Sequence, residues 1–238
     1  MMKNLLTENP YWHNYDGENL STDDYVHIFK IDVTLVFPII KPDSVLSAEE
    51  IKKAGKFFQQ IDKESFIVGK YCLRLLISRF TDLTPSQIEY SYTKNNKPYI
   101  SNSLHFNLSH HKNHVVIAIS SKFVGIDVEY HLPNFDFTDI EENCFNDDEI
   151  KYIHQSVKPS LNFYTLWTRK EALLKATGDG LINNLSELSS LDPIQLRDEK
   201  QYQVESWFCE NEVVISLAKS INSNPVKLWT FSPPATSA

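Results

Sequence analysis

An α+β architecture is predicted for the 238-residue chain by three observations. Apolar residues recur at helical spacing over 47–60, 64–80 and 159–178, and at period two over 25–35, 114–120 and 202–217. Each half of the chain runs helices first and then a strand pair, an order that permits two similar α+β halves. The composition, 42% hydrophobic and 23% charged, is that of a protein that buries a core. The length suits one large domain or two of about 110 residues.

Residues 1–24 are polar, with Tyr11 and Trp12 as docking anchors. Over 25–35, the side chains of Tyr25, His27, Phe29, Ile31, Val33 and Leu35 alternate onto one face, as in a strand half-buried against a core. His27 reads there as a satisfied core or edge histidine. Ser47 followed by Glu50 is a capping box that opens a helix reaching about Gln60. Its Lys52, Lys53 and Lys56 read as a solvated face. A second helix over 64–80 takes its apolar surface from Phe66, Cys72, Leu73, Leu75, Leu76 and Ile77. Arg74 interrupts that run as a snorkelling side chain. Asn95-Asn96-Lys97-Pro98 is a turn by its chemistry, and Asn96 tolerates a positive φ.

The alternation Val115, Ile117, Ile119 is a strand, and 124–128 is apolar and β-branched enough to be another. Residues 132–142 form a loop or a broken helix. Asn146 caps a short helix through His154, with Glu149 in its first turn facing the positive end of the helix dipole. Pro159 and Ser160 open a helix that Gly178 or Gly180 closes. Beyond it, 202–207 and 213–217 alternate as strands around a turn at Glu210-Asn211-Glu212. One more short strand, 226–231, precedes a Pro-Ser-Ala tail expected to be disordered.

The net charge of −8 argues against nucleic acid as a partner, since phosphate backbones demand basic faces. No run of ~18 apolar residues suits a transmembrane helix, and no basic, then apolar, leader is present. Cys72, Cys144 and Cys209 are an odd number, far apart, so reduced thiols and a cytoplasmic location are expected.

Three short patterns carry the chemistry: His105-Phe-Asn-Leu-Ser-His110, Gly125-Ile-Asp-Val-Glu129, and Trp167-Thr-Arg-Lys-Glu171-Ala-Leu-Leu-Lys175. Side chains at i and i+2 of a strand share a face, so Asp127 and Glu129 project together. Two carboxylates held that close repel unless a cation or a proton lies between them. Oxygen ligation by few protein groups suits Mg²⁺. Trp167, Glu171 and Lys175 are spaced i, i+4, i+8 and share a helix face. Glu171 completes a carboxylate set, and Lys175, one turn on, can neutralise a phosphate. A Glu and a Lys four apart are also an ordinary solvated pair. His110, His111 and His114 are not read as a zinc site, because no Cys or acidic ligand is near in sequence and strand parity separates adjacent histidines.

In order, spacing and wording, the three patterns resemble the 4′-phosphopantetheinyl transferases of the surfactin-synthetase-activating (Sfp-like) type. That family shows Phe-Asn-hydrophobic-Ser-His, then Gly-hydrophobic-Asp-hydrophobic-Glu, then Trp-x-x-Lys-Glu-Ala-x-x-Lys about forty residues on. The resemblance covers roughly residues 45–220. It implies a pseudo-dimer of two similar α/β halves, each a small antiparallel sheet with packed helices. Residues 1–120 would supply coenzyme A phosphate and adenine contacts; 121–238 would supply the metal site and the catalytic helix. The implied reaction transfers 4′-phosphopantetheine from coenzyme A to a serine of an acyl, peptidyl or polyketide carrier protein, a holo-acyl-carrier-protein synthase activity.

The resemblance further implies Mg²⁺ held by Asp127, Glu129 and Glu171, with Glu171 as base and Lys175 acting on the leaving group. It assigns coenzyme A contacts to Lys53, Arg74, Lys97, Pro98, Ser109 and His110. Lys170 points about 100° away from Glu171 on the helix, toward a coenzyme A contact or solvent. Glu149 matches a family Glu and is a candidate ligand-side contact. The sequence departs from the family at Glu50, where a phosphate-binding Lys is common, at Ser65, where an Arg is frequent, and at Asn96, which replaces a Gly. A soluble monomer with no membrane partner is expected. Two other classes compete: a non-catalytic binder of coenzyme A or carrier protein, and a Mg²⁺-dependent phosphohydrolase.

Overall fold

A computed structural model of the chain describes residues 5–101, 103–180, 182, 184–210 and 212–234. Its principal strands are β1 (Val26–Asp32), β2 (His105–His111), β3 (His114–Ser120), β4 (Val124–Tyr130), β5 (Ile194–Arg197), β6 (Lys200–Cys209), β7 (Val213–Ser220) and β8 (Val226–Thr230). Its helices are α1 (Ala48–Ala54), α2 (Gln60–Ile77), α3 (Thr138–Cys144), α4 (Asp147–His154) and α5 (Pro159–Thr177). Two compact units form. The α2 unit takes the described residues of Tyr11–Thr93, Pro98–Lys122 and Ser223–Ala238; the α5 unit takes those of Met1–Pro10, Lys94–Lys97 and Phe123–Asn222.

The two units share one topology. In the α2 unit, β1 is followed by α2 and the hairpin β2–β3, and β3 pairs antiparallel with both β1 and β2. In the α5 unit, β4 is followed by α5 and the hairpin β6–β7, and β7 pairs antiparallel with both β4 and β6. Each is a strand, a long helix and a hairpin whose second strand takes the middle. Two similar sheet-and-helix halves are therefore present. The sheets depart from a purely antiparallel pattern at their margins. There β8 runs parallel to β1, and Thr7–Glu8 runs parallel to β6.

Local chemistry accounts for most boundaries. Ser47 and Glu50 form the expected capping box on α1, and Asn146 with Glu149 forms another on α4. Gly178 closes α5 in the left-handed region at φ 78°, where glycine carries no Cβ penalty. Asn96 adopts φ 61°, as its place in the turn requires. Two expectations are corrected. The strand over 25–35 stops at Asp32, because Oδ1 of Asp32 accepts from the Thr34 amide and hydroxyl and turns the chain into one turn of helix. Leu35 is consequently 69% exposed, while Val26, His27, Ile28 and Phe29 are all buried, so β1 is covered on both faces. Helix α1 ends at Ala54 rather than near Gln60. Residues 138–144 are helical within the stretch read as a loop or a broken helix. Asn211 of the hairpin turn, and residues 235–238 of the tail, lie outside the described residues.

The α2 unit is closed by Phe66, Cys72, Leu73, Leu76 and Ile77 of α2 packed with Phe29, Ile31, Val115, Ile117 and Ile119 of the sheet. His27 is the satisfied core histidine its position suggests: Trp229 Nε1 donates to its Nδ1 at 3.0 Å, and its Nε2 meets the Ser21 carbonyl at 2.9 Å. In the α5 unit, α5 is buried on nearly every side; Trp167, Glu171 and Lys175 form a half-buried stripe along it. No helix among the described residues is long and apolar enough to cross a membrane.

Candidate active site

Strand β4 and helix α5 approach closely, and a glycine permits it. A Cβ on Gly125 would stand 2.2 Å from both the Ala172 carbonyl oxygen and the Ala176 amide nitrogen. Gly125, Asp127 and Glu129 share one face of β4 by strand parity, so the missing Cβ is what lets α5 lie against the strand that carries the two acids. From α5, Lys175 Nζ donates to Asp127 Oδ1 at 2.5 Å. Asp127 is 3% exposed, whereas Lys175 and Glu171 are half-buried. Burial raises the Glu171 carboxyl above the ordinary glutamate value; the charges of Asp127 and Glu129 push the same way, and Lys175 opposes them. Strand and helix thus bring Asp127, Glu129, Glu171 and Lys175 into one electrostatic group.

Among the described residues, no three His, Cys, Asp or Glu side chains converge closely enough to hold a metal ion as they stand. The three-carboxylate set read from the sequence is close enough to interact but is not assembled as a ligand cage, and Lys175 engages Asp127.

Several residues singled out in the sequence take part in holding this framework. Lys97 Nζ donates to the carbonyls of Val124, Lys175 and Ala176, tying the C-terminal end of α5 to the start of β4. A cation at the negative end of a helix is favourably placed. Burial pulls its ammonium down to about 8. Beside it, Asn95 Nδ2 donates to the carbonyls of Gly178 and Asp179. Neither contact has a signal in the sequence beyond the turn itself.

Lys170 is fully buried, which corrects the expected coenzyme A contact or solvent exposure. Its Nζ bonds Glu149 Oε2 at 2.7 Å and the Leu185 carbonyl at 3.0 Å, and it lies over the Phe145 ring. Glu149, itself fully buried, also accepts from the amide and hydroxyl of Ser190, both at 2.7 Å. The ligand-side role considered for Glu149 therefore gives way to a buried ion pair that anchors α4 to α5. Arg169 is similarly internal, donating to the carbonyls of Ser190, Val204 and Asp192; burial lowers it to about 10.

In the α2 unit, Arg74 does not snorkel. It is 4% exposed, with Nε on Glu50 Oε2 at 2.9 Å and Nη1 on the carbonyls of Pro85 and Ile88. Glu50, the departure from the family pattern, is the acid that neutralises it. Lys70 was not singled out in the sequence, although it stands one turn before Arg74 in the same apolar run. Its Nζ lies 5.1 Å from the centre of the Tyr90 ring, and burial lowers its ammonium. Tyr90 Oη and Glu50 Oε1 are buried there without a hydrogen-bond partner. Lys53 is exposed, its Nζ 5.4 Å from the centre of the Phe66 ring. Ser65 is buried and donates to the Lys112 carbonyl. Ser109 is buried and His110 half-buried, and strand parity sets them on opposite faces of β2. Pro98 lies on a two-residue strand paired with Ser91–Tyr92.

Residues 123–223, which hold the whole carboxylate group, match the 4′-phosphopantetheinyl transferase superfamily, and residues 41–122 match the N-terminal region of 4′-phosphopantetheinyl transferases. A 4′-phosphopantetheinyl transferase of Bacillus subtilis is 30% identical over 167 residues, 68% of this chain and 71% of that protein. The 4′-phosphopantetheinyl transferase HetI of Nostoc sp. (strain PCC 7120) is 27% identical over 227 residues, 87% of this chain and 93% of HetI. A putative 4′-phosphopantetheinyl transferase of Synechocystis sp., slr0495, is 30% identical over 152 residues, 62% of its own length. The chain belongs to the 4′-phosphopantetheinyl transferase superfamily.

Proposed function

We propose that this chain transfers the 4′-phosphopantetheine group of coenzyme A to a serine hydroxyl of an acyl, peptidyl or polyketide carrier protein. Apo carrier becomes holo carrier, and adenosine 3′,5′-bisphosphate is released. The observation that carries the reading is the grouping of Asp127, Glu129, Glu171 and Lys175 where β4 meets α5, in a chain of this family.

The chemistry of the donor set fits Mg²⁺. Asp127, Glu129 and Glu171 are hard oxygen donors whose like charges oppose one another, and Lys175 stands in for a cation on Asp127. When bound, the ion would supply charge neutralisation on the pyrophosphate. With a cation held there, Lys175 would be released from Asp127. The ammonium is 29% exposed on a flexible side chain, so it can turn toward the phosphate of the leaving group and offset charge there. Glu171, whose carboxyl burial raises above the ordinary glutamate value, is suited to take the proton of the attacking serine hydroxyl. The serine oxygen then bonds the β-phosphorus as the bridging P–O bond breaks.

Lys53, Ser109 and His110 are assigned to coenzyme A by the family resemblance. Lys97, Pro98 and Arg74 carry the same assignment, and each also braces the segment it stands on. Residues 1–120 then serve chiefly coenzyme A, and 121–238 the chemistry. A monomeric cytoplasmic enzyme without nucleic-acid or membrane partners completes the proposal.

The test is the intact mass of an apo carrier protein incubated with the chain, coenzyme A and Mg²⁺. A gain of one phosphopantetheine per carrier, abolished by EDTA, is expected. Coenzyme A binding without any gain across acyl, peptidyl and polyketide carriers would overturn the reading in favour of a binding protein. Release of free phosphopantetheine would make the chain a hydrolase.

A further inference from the structure

A second group of side chains, near the opposite end of α5, has the arrangement of a nucleophile with its base. His131 follows β4 directly and is 7% exposed. Its Nδ1 lies 2.9 Å from Glu212 Oε2, and its Nε2 lies 2.9 Å from Ser160 Oγ. A carboxylate only accepts, so Nδ1 carries the proton and donates to Glu212, which leaves the Nε2 lone pair for the Ser160 hydroxyl. The order hydroxyl, imidazole, carboxylate is that of an activated serine.

The fold holds each member. The His131 amide donates to the Glu212 carbonyl at 2.7 Å, extending the β4–β7 pairing by one residue and fixing carboxylate beside imidazole. Tyr164 and Phe208 both meet the His131 ring edge-on at 5.7 Å, restricting its rotation. Ser160 is half-buried in the first turn of α5, and half of the Glu212 side chain faces solvent. Pro159 has no N–H and the Asn162 amide donates to the Lys158 carbonyl at 3.2 Å, so Ser160 sits in a first turn that carries few amide donors. Eleven residues, roughly 16 Å of helix, separate Ser160 from Glu171.

We propose that Ser160, His131 and Glu212 form a serine-esterase centre for small carboxylic esters. Ser160 Oγ attacks the ester carbonyl carbon while its proton passes to His131 Nε2. The carbon–oxygen bond to the alcohol breaks as that proton is handed to the departing oxygen. Water then attacks the acyl-serine through the same histidine, releasing the carboxylic acid and restoring the hydroxyl. No co-reactant beyond water is needed, and coenzyme A takes no part.

The experiment uses the full chain with an alkyl fluorophosphonate, followed by intact mass and peptide mapping, and with p-nitrophenyl acetate as substrate. One adduct at Ser160 is expected, lost in His131→Gln. Ester hydrolysis should fall by at least ~10³-fold in Ser160→Ala. A wild-type protein with a native melting transition that takes no label at Ser160 would overturn the proposal, leaving the three side chains as a stitch between a hairpin and a helix. Equal ester hydrolysis by wild type and a folded Ser160→Ala would do the same. Should Ser160→Ala fail to fold, labelling of the wild type alone decides.

Discussion

Replacing Gly125 by Ala tests the central packing with a single methyl group. The added Cβ would stand 2.2 Å from the Ala172 oxygen and the Ala176 nitrogen, and 2.7 Å from the Lys175 carbonyl carbon. All three are backbone atoms of α5, so no rotamer change relieves the clash. Restoring ordinary contact at ~3.5 Å requires β4 and α5 to part by about 1.3 Å. The helix cannot retreat freely, because Leu166, Lys170 and Leu174, on its far side, are buried as well. Overpacking of this kind costs about 2–3 kcal/mol, which lowers the melting temperature by roughly 5–10 °C in a domain of this size. The same displacement moves Asp127 and Glu129 away from Glu171 and Lys175, and a shift of about 1 Å at reacting groups costs on the order of 100-fold in rate. Thermal unfolding, and the initial rate of carrier modification at saturating coenzyme A, measure both effects. A Gly125→Ala protein that melts within a degree or so of the parent and modifies carrier at the parental rate would refute the reasoning.

Other substitutions separate chemistry from framework. Asp127→Ala should abolish transfer with little loss of stability, since Lys175 has solvent to turn to; near-normal turnover with Mg²⁺ would sink the metal assignment. Lys175→Ala should lower kcat more than it raises KM, and an effect on KM alone would make it a binding residue. Lys170→Met strands the buried Glu149 charge and should cost about 3–5 kcal/mol in urea unfolding, with Lys170→Met/Glu149→Gln recovering part of it; an unchanged midpoint for the single variant would contradict the ion pair. Burial holds His27 below its ordinary value, while Trp229 occupies its Nδ1. The unfolded chain therefore takes up that proton first, and stability present above about pH 6.5 should decline as the pH falls below it. Melting curves at pH 7.5 and 5.5 check the sign, and His27→Gln should flatten the difference; an identical slope in the variant would assign the effect elsewhere.

Much of the fold was legible wherever one short-range rule operates alone. The capping boxes at Ser47 and Asn146, the glycine stop at Gly178 and the positive φ of Asn96 each depend on two to four neighbouring residues. The end of β1 was not, because alternation continues through Leu35 while the Asp32 side chain turns the backbone away from it. Charged side chains were the least legible. Arg74 and Lys170 look like surface residues by type, yet each meets an acid from a distant segment, Glu50 and Glu149, and is buried with it. Lys97 likewise spends its ammonium on carbonyls whose positions depend on how α5 ends against β4.

The sequence by itself determined which of the candidate residues share a face. Period two along β4 puts Asp127 and Glu129 on one face, and a spacing of four along α5 does the same for Glu171 and Lys175, because both periodicities belong to the backbone. Tertiary structure alone decided that the two faces meet, that Lys175 closes on Asp127, and that Ser160, His131 and Glu212 come together from three separate segments. Those contacts join residues 29 to 81 positions apart. No local propensity encodes a separation of that length; it is set by the packing of a helix on a sheet, and here by one absent methyl group at Gly125.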